Sequence, residues 1–479
     1  MSHKPTDRFP GLDLNRNWLY IWAFCLFGGL AVPQLEIVVM TFFSLRALKG
    51  PKETMEGAFV CCFYLLANQI VVEGYTRNFM RYLFLLCSFA SLIFGKSKGK
   101  VPVAKFLWSF LICFTVVGFL SSRIPAISIL KVASFFMGAY IMVEGFSRVA
   151  ADKKYWYRLI NSFFIFLTVG SLLFLALGFG YETNGRGFQG VFSHPQNFGP
   201  VMGVVAAWFT GITISQKKPS ATVLTLLGLS LTFILMSLAR TGMVAFILGG
   251  GIAYLLGLGL PQNRRYRAKG IQLGVFAVVV LFVVALANPA FLNETLVSFV
   301  QKREAGTTDT SLDELFNQSR GGLTLTSMDN FRENPLLGIG FGVPSNLDTP
   351  EDLQNIKYLY GIPVSASVEK GFLPTAILEE IGILGAVATV ILLILIVRRV
   401  RRRATFPMIW LLMTALFVNI GEAIFYSVGG TGFFMWLMLG ICYSFSFFPG
   451  GKARISLQNR RFSPQPIANG YPTQTKQLT

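Results

Sequence analysis

Ser319-Arg320-Gly321-Gly322-Leu323-Thr324-Leu325-Thr326-Ser327-Met328-Asp329-Asn330-Phe331 lies at the centre of the longest polar interruption in this sequence. Asn334-Pro335-Leu336-Leu337-Gly338-Ile339-Gly340-Phe341-Gly342 follows it closely. The interruption spans residues 288–372 and holds charged and turn-forming residues that a hydrocarbon interior would not accept. Long apolar segments flank it on both sides. This pattern reads as a bundle of membrane helices that holds one working loop.

Composition sets the class. Hydrophobic residues make up 53% of the chain and charged residues 14%, whereas a soluble chain carries about a quarter charged residues. A bilayer span needs roughly 20 mostly apolar residues, and such stretches recur along the sequence. Helices satisfy their own backbone groups in lipid, so the expected fold is an all-α polytopic membrane protein. The sequence predicts roughly 12–14 transmembrane helices and one long extracytoplasmic loop containing short helices. The first apolar stretch follows Lys4, Arg8 and Arg16 without a small-residue cleavage site, and is expected to stay as a helix.

The formal net charge is +19. In a soluble protein that would suggest nucleic acid; the placement of the charges argues against such a partner here. They gather in short loops: Lys96, Lys98, Lys100 and Lys105; Arg148, Lys153, Lys154 and Arg158; Lys217 and Lys218; Arg264, Arg265, Arg267 and Lys269; and Arg398, Arg399, Arg401, Arg402 and Arg403. Short loops rich in Lys and Arg face the cytoplasm. The long loop differs. Its cations are Lys302, Arg303, Arg320, Arg332, Lys357 and Lys370. Its acids are Glu294, Glu304, Asp309, Asp313, Glu314, Asp329, Glu333, Asp348, Glu351, Asp352 and Glu369, so it is acidic in a chain that is otherwise basic.

Residues 1–17 then read as a cytoplasmic N-terminus, 18–448 as one integral membrane domain, and 449–479 as a disordered cytoplasmic tail. Residues 19–40 are interrupted by Val32-Pro33-Gln34, where a proline kinks one span or separates two short ones. Further spans are expected near 56–73, 77–95, 104–122, 126–147, 156–179, 198–214, 220–238, 241–259 and 271–287. After the long loop they resume near 373–397, 406–426 and 430–448. Cys25, Cys61, Cys62, Cys87, Cys113 and Cys442 all lie in apolar segments without zinc-ligand spacing, and are expected to be free buried thiols. Within the loop, Leu323, Thr324, Ser327, Met328 and Phe331 recur at helical spacing ahead of Asn334-Pro335, which predicts a short amphipathic helix over residues 319–332.

This topology leaves few arginines outside. Arg186 sits in Tyr181-Glu182-Thr183-Asn184-Gly185-Arg186-Gly187-Phe188, ahead of Phe192-Ser193-His194-Pro195-Gln196-Asn197-Phe198-Gly199. Arg240 sits in the tight turn Ser237-Leu238-Ala239-Arg240-Thr241-Gly242. Arginine at the membrane surface can snorkel to headgroups, and its planar fork also binds diphosphate well. Arg186, Arg240 and Arg320 on one side point to an anion site. Gly338-Ile339-Gly340-Phe341-Gly342 lacks the strand–turn–helix context of a nucleotide-binding loop.

The order of these motifs resembles the O-antigen ligase/polymerase superfamily of bacterial membrane glycosyltransferases. The elements that carry the resemblance are Gly185-Arg186-Gly187 with His194-Pro195-Gln196-Asn197-Phe198-Gly199, the turn 237–240, Arg320 ahead of the 334–342 run, and Leu378-Glu379-Glu380-Ile381-Gly382-Ile383-Leu384-Gly385 entering a span. It covers roughly residues 181–385. It implies an enzyme of the bacterial cytoplasmic membrane that takes a glycan from undecaprenyl diphosphate at the outer leaflet. The acceptor would be lipid A core or a second lipid-linked glycan. It implies neither a nucleotide sugar nor a metal nor another cofactor. Its partners would be membrane lipid, the lipid-linked glycan, the acceptor and other polysaccharide-assembly proteins. Ligases of the family carry a histidine-asparagine pair late in the long loop. Here Ser367-Val368-Glu369-Lys370-Gly371-Phe372-Leu373 stands in that place, and the only histidines are His3 and His194. That departure favours a polymerase, or a ligase for another acceptor.

In such a transfer a sugar hydroxyl attacks an anomeric carbon and the diphosphate leaves. Arg186, Arg240 and Arg320 are the candidate cations for the leaving charge. A base must take the hydroxyl proton. Glu369 is the first candidate by position, with a salt bridge as its structural alternative. His194 is the second, with a helix-start role ahead of Pro195 as its alternative. Glu380 is the third: a carboxylate within a span is a functional suspect, or else a buried partner for an arginine such as Arg240. The competing class is a transporter or flippase, whose signs would be polar residues within spans and paired broken helices. Glu36, Glu73, Glu144, Asn161 and Glu422 are few and lie mostly near span ends.

The topology has a direct check. In a background without native cysteines, a cysteine at Ser311 is expected to react with an impermeant thiol reagent added from outside, and one at Ser456 is not. Labelling of Ser456 alone would invert the orientation.

Overall fold

The computed structural model describes residues 11–72, 77–95, 101–181, 187–258, 322–347, 356–359, 361–366 and 370–447, with 260, 264, 266–272 and 274 besides. The tail expected to be disordered and most of the span expected at 271–287 lie outside the described residues.

Proline places many of the helix starts. The turn Val32-Pro33-Gln34 separates α1 (Arg16–Ala31) from α2 (Leu35–Ala47), so the first apolar stretch is two helices. Helices α3 (Pro51–Leu66), α5 (Pro102–Ser121), α6 (Pro125–Val149) and α8 (Pro195–Ser215) each begin on a proline. There the missing N–H has no intrahelical partner to lose, and the fixed φ already suits a helix. Between them run α4 (Arg77–Phe94) and α7 (Lys153–Ala176), with α9 (Ala221–Met236) and α10 (Arg240–Gly257) following. The long loop contributes α11 (Gly322–Glu333) and an antiparallel hairpin, β1 (Ile356–Leu359) and β2 (Ile362–Ala366). Helices α12 (Leu373–Arg403), α13 (Phe406–Phe417) and α14 (Gly430–Phe445) complete the bundle.

The protein is therefore an all-α polytopic membrane protein with one small hairpin, which the sequence reading did not anticipate. Among the described residues, α4, α5, α6, α7, α8, α10 and α12 are long and apolar enough to cross a bilayer, and three shorter apolar helices accompany them. Helix α8 is the centre, with almost every residue buried. Helix α14 is buried almost as completely, whereas α5 and α12 turn apolar side chains outward, as lipid contact requires; Phe119, Val390 and Ile394 stand exposed. Cys113 is exposed and Cys87 half-buried, so not all of the free cysteines are interior as expected.

Polar contacts sort the helix ends into two sets. At one end Arg158 bridges Asp13 at 3.2 Å, Arg46 bridges Glu56, Tyr155 donates to Glu56, and Arg148 bridges Glu144 at 2.9 Å. Asn161 ties the first described residues to this end: its Nδ2 donates to Gly11 O and Asp13 O, and its Oδ1 accepts from Trp208 Nε1 at 2.8 Å. Asn161 and Glu144 thus have structural partners, which removes the polar signature a transporter would need from both. The arginines that close α12 also belong to this basic end, where Arg401 Nε donates to Leu256 O at 3.1 Å. The opposite end gathers the long-loop elements and the 187–194 segment.

One break matters more than the rest. Helix α12 is interrupted at Gly382, whose φ of 61° and ψ of −163° lie outside the helical region. The segment 335–340 pairs with the opened turn. Ile339 N donates to Glu379 O at 2.8 Å and Gly340 N to Glu380 O at 3.1 Å. In return Ile383 N donates to Pro335 O at 2.9 Å and Leu384 N to Leu336 O at 3.2 Å. Gly338, Gly340 and Gly342 all have positive φ, and a Cβ on Gly338 would come within 2.5 Å of the Glu380 backbone. The glycine run is thus a seam for close backbone approach.

Gly338→Ala is expected to lower the thermal unfolding midpoint of the detergent-solubilised protein. The φ penalty alone is about 1–3 kcal/mol. Gly228→Ala is the matched control: its Cβ would meet nothing within 4 Å, and helix propensity makes that change neutral or mildly stabilising. Equal midpoints for the two variants would contradict the seam.

Candidate active site at the loop end of the bundle

Two carboxylates leave the opened turn of α12 in different directions. Glu379 is fully buried. It accepts from Ser327 Oγ at 2.7 Å and Asn330 Nδ2 at 2.8 Å, both on α11, and pairs with Lys370 Nζ at 3.0 Å. Lys370 also donates to Ser345 Oγ at 3.0 Å, and Asn330 Nδ2 reaches Ser345 O at 2.9 Å. A buried carboxylate with three charged or polar donors is fully satisfied, so it works as a fastener. It holds α11, residue 345 and the end of the loop on α12.

The expected loop helix is present as α11. Ser327, one of the residues expected to recur at helical spacing, is buried together with Asn330, whereas Leu323, Met328 and Phe331 are half-buried. A helix that packs on a carboxylate buries its hydrogen-bond donors, and hydrophobic periodicity does not report that.

Glu380 points elsewhere. Its carboxylate lies 3.4 Å from Lys131 Nζ on α6, and its expected partner Arg240 is not the one observed. Lys131 is about one-third exposed and lies 5.3 Å from the centre of the Phe341 ring. Next to it Arg123, at the α5–α6 turn, pairs with Glu333 at 2.7 Å, and its N–H donates to Ile339 O at 2.9 Å. Glu380 and Lys131 form a carboxylate–ammonium pair with a looser contact than the Glu379 cluster, and solvent reaches its cation.

Arg240 stands exposed at the first position of α10. The turn before it is tight. Leu238 takes φ 54°, a rare value for a branched residue, while Ser237 Oγ donates to Ile234 O and accepts from Ala239 N. Gly199 and Gly242 allow this turn to press on α8; a Cβ on Gly242 would come within 2.3 Å of Gly199 O. Phe188 joins the same turn, since its N–H donates to Met236 O at 2.9 Å. Ser193 N donates to Leu66 O at 2.9 Å, and residues 67 and 192 form an isolated bridge. His194 caps α8, its Nδ1 accepting from Gln196 N at 3.1 Å. That is the helix-start role weighed from the sequence. Arg186, Arg320 and Glu369 lie outside the described residues.

The stretch between α13 and α14 connects the two regions. Gly421 abuts Thr241, next to Arg240; Tyr426 packs edge-on to Phe341 at 4.9 Å and hydrogen-bonds Thr389; and Thr431 donates to Asn197 at 2.8 Å. Arg77 donates to Ala67 O at 3.2 Å, and Arg81 packs on Gly429. Sequence reasoning did not single out Lys131, Glu379 or Lys370 among the charged groups at this end of the bundle. An ionisable residue inside an apolar run, as in Ile129-Leu130-Lys131-Val132, was the available signal for the first. Among the described residues, no group of His, Cys, Asp and Glu is arranged to hold a metal ion.

The family model described as O-antigen ligase matches residues 225–369, from within α9 to the residue before Lys370. The match supports membership of the O-antigen ligase/polymerase superfamily over that part of the chain. The match takes in the turn that carries Arg240, all of α11 and the glycine seam. The family is one of glycan-transferring enzymes that act on lipid-linked glycans in membranes. No curated protein matches the chain.

The Glu379 cluster predicts non-additive losses. Removing one partner of a buried ion pair costs about 3–5 kcal/mol because the other charge is left unpaired. Glu379→Leu and Lys370→Met are each expected to lower the unfolding midpoint and expose α11 to protease. The double variant should lose clearly less than the sum. Strict additivity would mean the two side chains are not coupled.

Proposed function

We propose that this protein transfers a glycan from undecaprenyl diphosphate to a sugar hydroxyl, as a polymerase or ligase of O-antigen or exopolysaccharide assembly. The transfer takes place at the outer face of the cytoplasmic membrane. The family match over residues 225–369 carries this reading, because it runs through Arg240, Arg320 and Glu369. The placement of Glu380, Lys131 and Arg123 at the same end of the bundle as the Arg240 turn supports it.

The acceptor oxygen forms a bond to the anomeric carbon while the bond from that carbon to the phosphate oxygen breaks. The electron pair leaves with undecaprenyl diphosphate. Arg186, Arg240 and Arg320 hold the diphosphate and stabilise the charge it gains. Glu369 or Glu380 takes the hydroxyl proton. His194 is the weaker base candidate, since its Nδ1 is engaged at the start of α8. No metal enters this scheme. The acidic loop faces outward and the arginine-rich end inward, by the distribution of charge. Other polysaccharide-assembly proteins are expected partners.

Purified protein in detergent, given a lipid-diphosphate glycan and an acceptor, should release undecaprenyl diphosphate and form the longer glycan. A micelle has no two compartments, so a transporter would give no product there. Arg240→Ala and Arg240→Lys should each lose on the order of a hundredfold in rate, because a point charge does not replace a bidentate fork. Glu380→Gln should lose about a hundredfold or more if it is the base. Near-normal product from the Arg→Lys variants at 186, 240 and 320 would remove the diphosphate role and leave only membrane anchoring.

A further inference from the structure

A groove of about 640 Å³ opens at the opposite, basic end of the molecule, between α10 and α12. Its wall is apolar on both sides: Leu256 and Leu260 from α10 and the residues just after it, Leu393, Ile394 and Val397 from α12. Arg398, Arg401 and Arg402 line one end. The apolar surface continues along both helices away from the arginines, with Val387, Val390 and Ile391 exposed on α12 and Ile247, Leu248 and Leu255 exposed on α10.

We propose that this groove binds one anionic phospholipid, with its phosphate on the arginines and an acyl chain along the apolar walls. The charge pattern selects that occupant. Three guanidiniums stand within five residues of one another, at the polar end of a channel otherwise lined by Leu, Ile and Val. Guanidinium forks match phosphate oxygens. Arg401 is already oriented, because its Nε donates to Leu256 O across the groove at 3.1 Å. The same contact spans the two helices, so a headgroup bound there would bridge α12 to α10 beside it. The remaining arginines of the cluster are placed differently. Arg399 lies over the Phe447 ring at 4.0 Å, on the α14 side, and Arg403 does not line the groove. A generic basic surface would use all five alike; a groove uses three.

The test is lipid retention by the full chain in detergent, read by native mass spectrometry after adding phosphatidylglycerol or phosphatidylethanolamine. Wild type should retain phosphatidylglycerol preferentially. Each of Arg398→Ala, Arg401→Ala and Arg402→Ala should weaken retention about fivefold, the worth of one cation at an anionic lipid surface. Arg403→Ala should retain it as wild type does. Val397→Trp keeps every charge and fills the groove, and should also lose the lipid. Equal losses for Arg403→Ala and the groove variants would overturn the proposal in favour of non-specific charge. So would full retention by Val397→Trp, or displacement of the lipid by millimolar inorganic phosphate. Variants are compared at equal monodispersity; should an arginine variant misfold, Val397→Trp against Arg403→Ala decides alone. Glycan transfer does not enter the readout, so this outcome is independent of the catalytic reading.

Discussion

A helix that opens inside a membrane protein must find partners for the backbone groups it frees. Hydrocarbon supplies none, and each orphaned group costs several kcal/mol. Helix α12 opens at Gly382, and the segment 335–340 supplies the missing partners through four backbone hydrogen bonds. The long loop is therefore not an appendage on a finished bundle. Part of it completes a transmembrane helix, and the polar end of the bundle is built outward from that pairing.

The consequences follow contact by contact. Glu379 and Glu380 are successive residues of the helical piece before Gly382, so their side chains point about 100° apart around the axis and meet different surroundings. One is enclosed by Ser327, Asn330 and Lys370 and fixes the loop. The other meets Lys131, where solvent reaches the cation. The glycine seam brings Phe341 onto Tyr426, and the α13–α14 stretch extends the contact to the turn bearing Arg240. The same few residues therefore set the fold of the loop and the position of the charged groups beneath it.

Much of the fold was legible because hydropathy and proline act locally. Spans expected near 77–95, 104–122 and 126–147 are observed as α4, α5 and α6, within a few residues. The break in α12 was not legible. Leu378-Glu379-Glu380-Ile381-Gly382 reads as the start of one span, and only a distant segment makes the open conformation affordable. Glu380 stood out as a carboxylate within a span, whereas its neighbour Glu379, the better-buried of the two, did not. Lys131 escaped notice because charge was read from loops, where it sets orientation. The hairpin at 356–366 carries Pro363 inside a strand, which argues against a strand from sequence alone. The glycine run looked like a feeble nucleotide motif because its partner surface, the α12 backbone, is invisible to a linear reading.

The same pairing has a mechanical consequence for α12. Its bonds straddle Gly382: Ile339 and Gly340 bond to Glu379 and Glu380 on one side of the break, while Ile383 and Leu384 on the other side bond to Pro335 and Leu336. The segment 335–340 is therefore a splint across the break. It fixes the short piece that carries Glu379 and Glu380 to the long piece that runs on to Arg403.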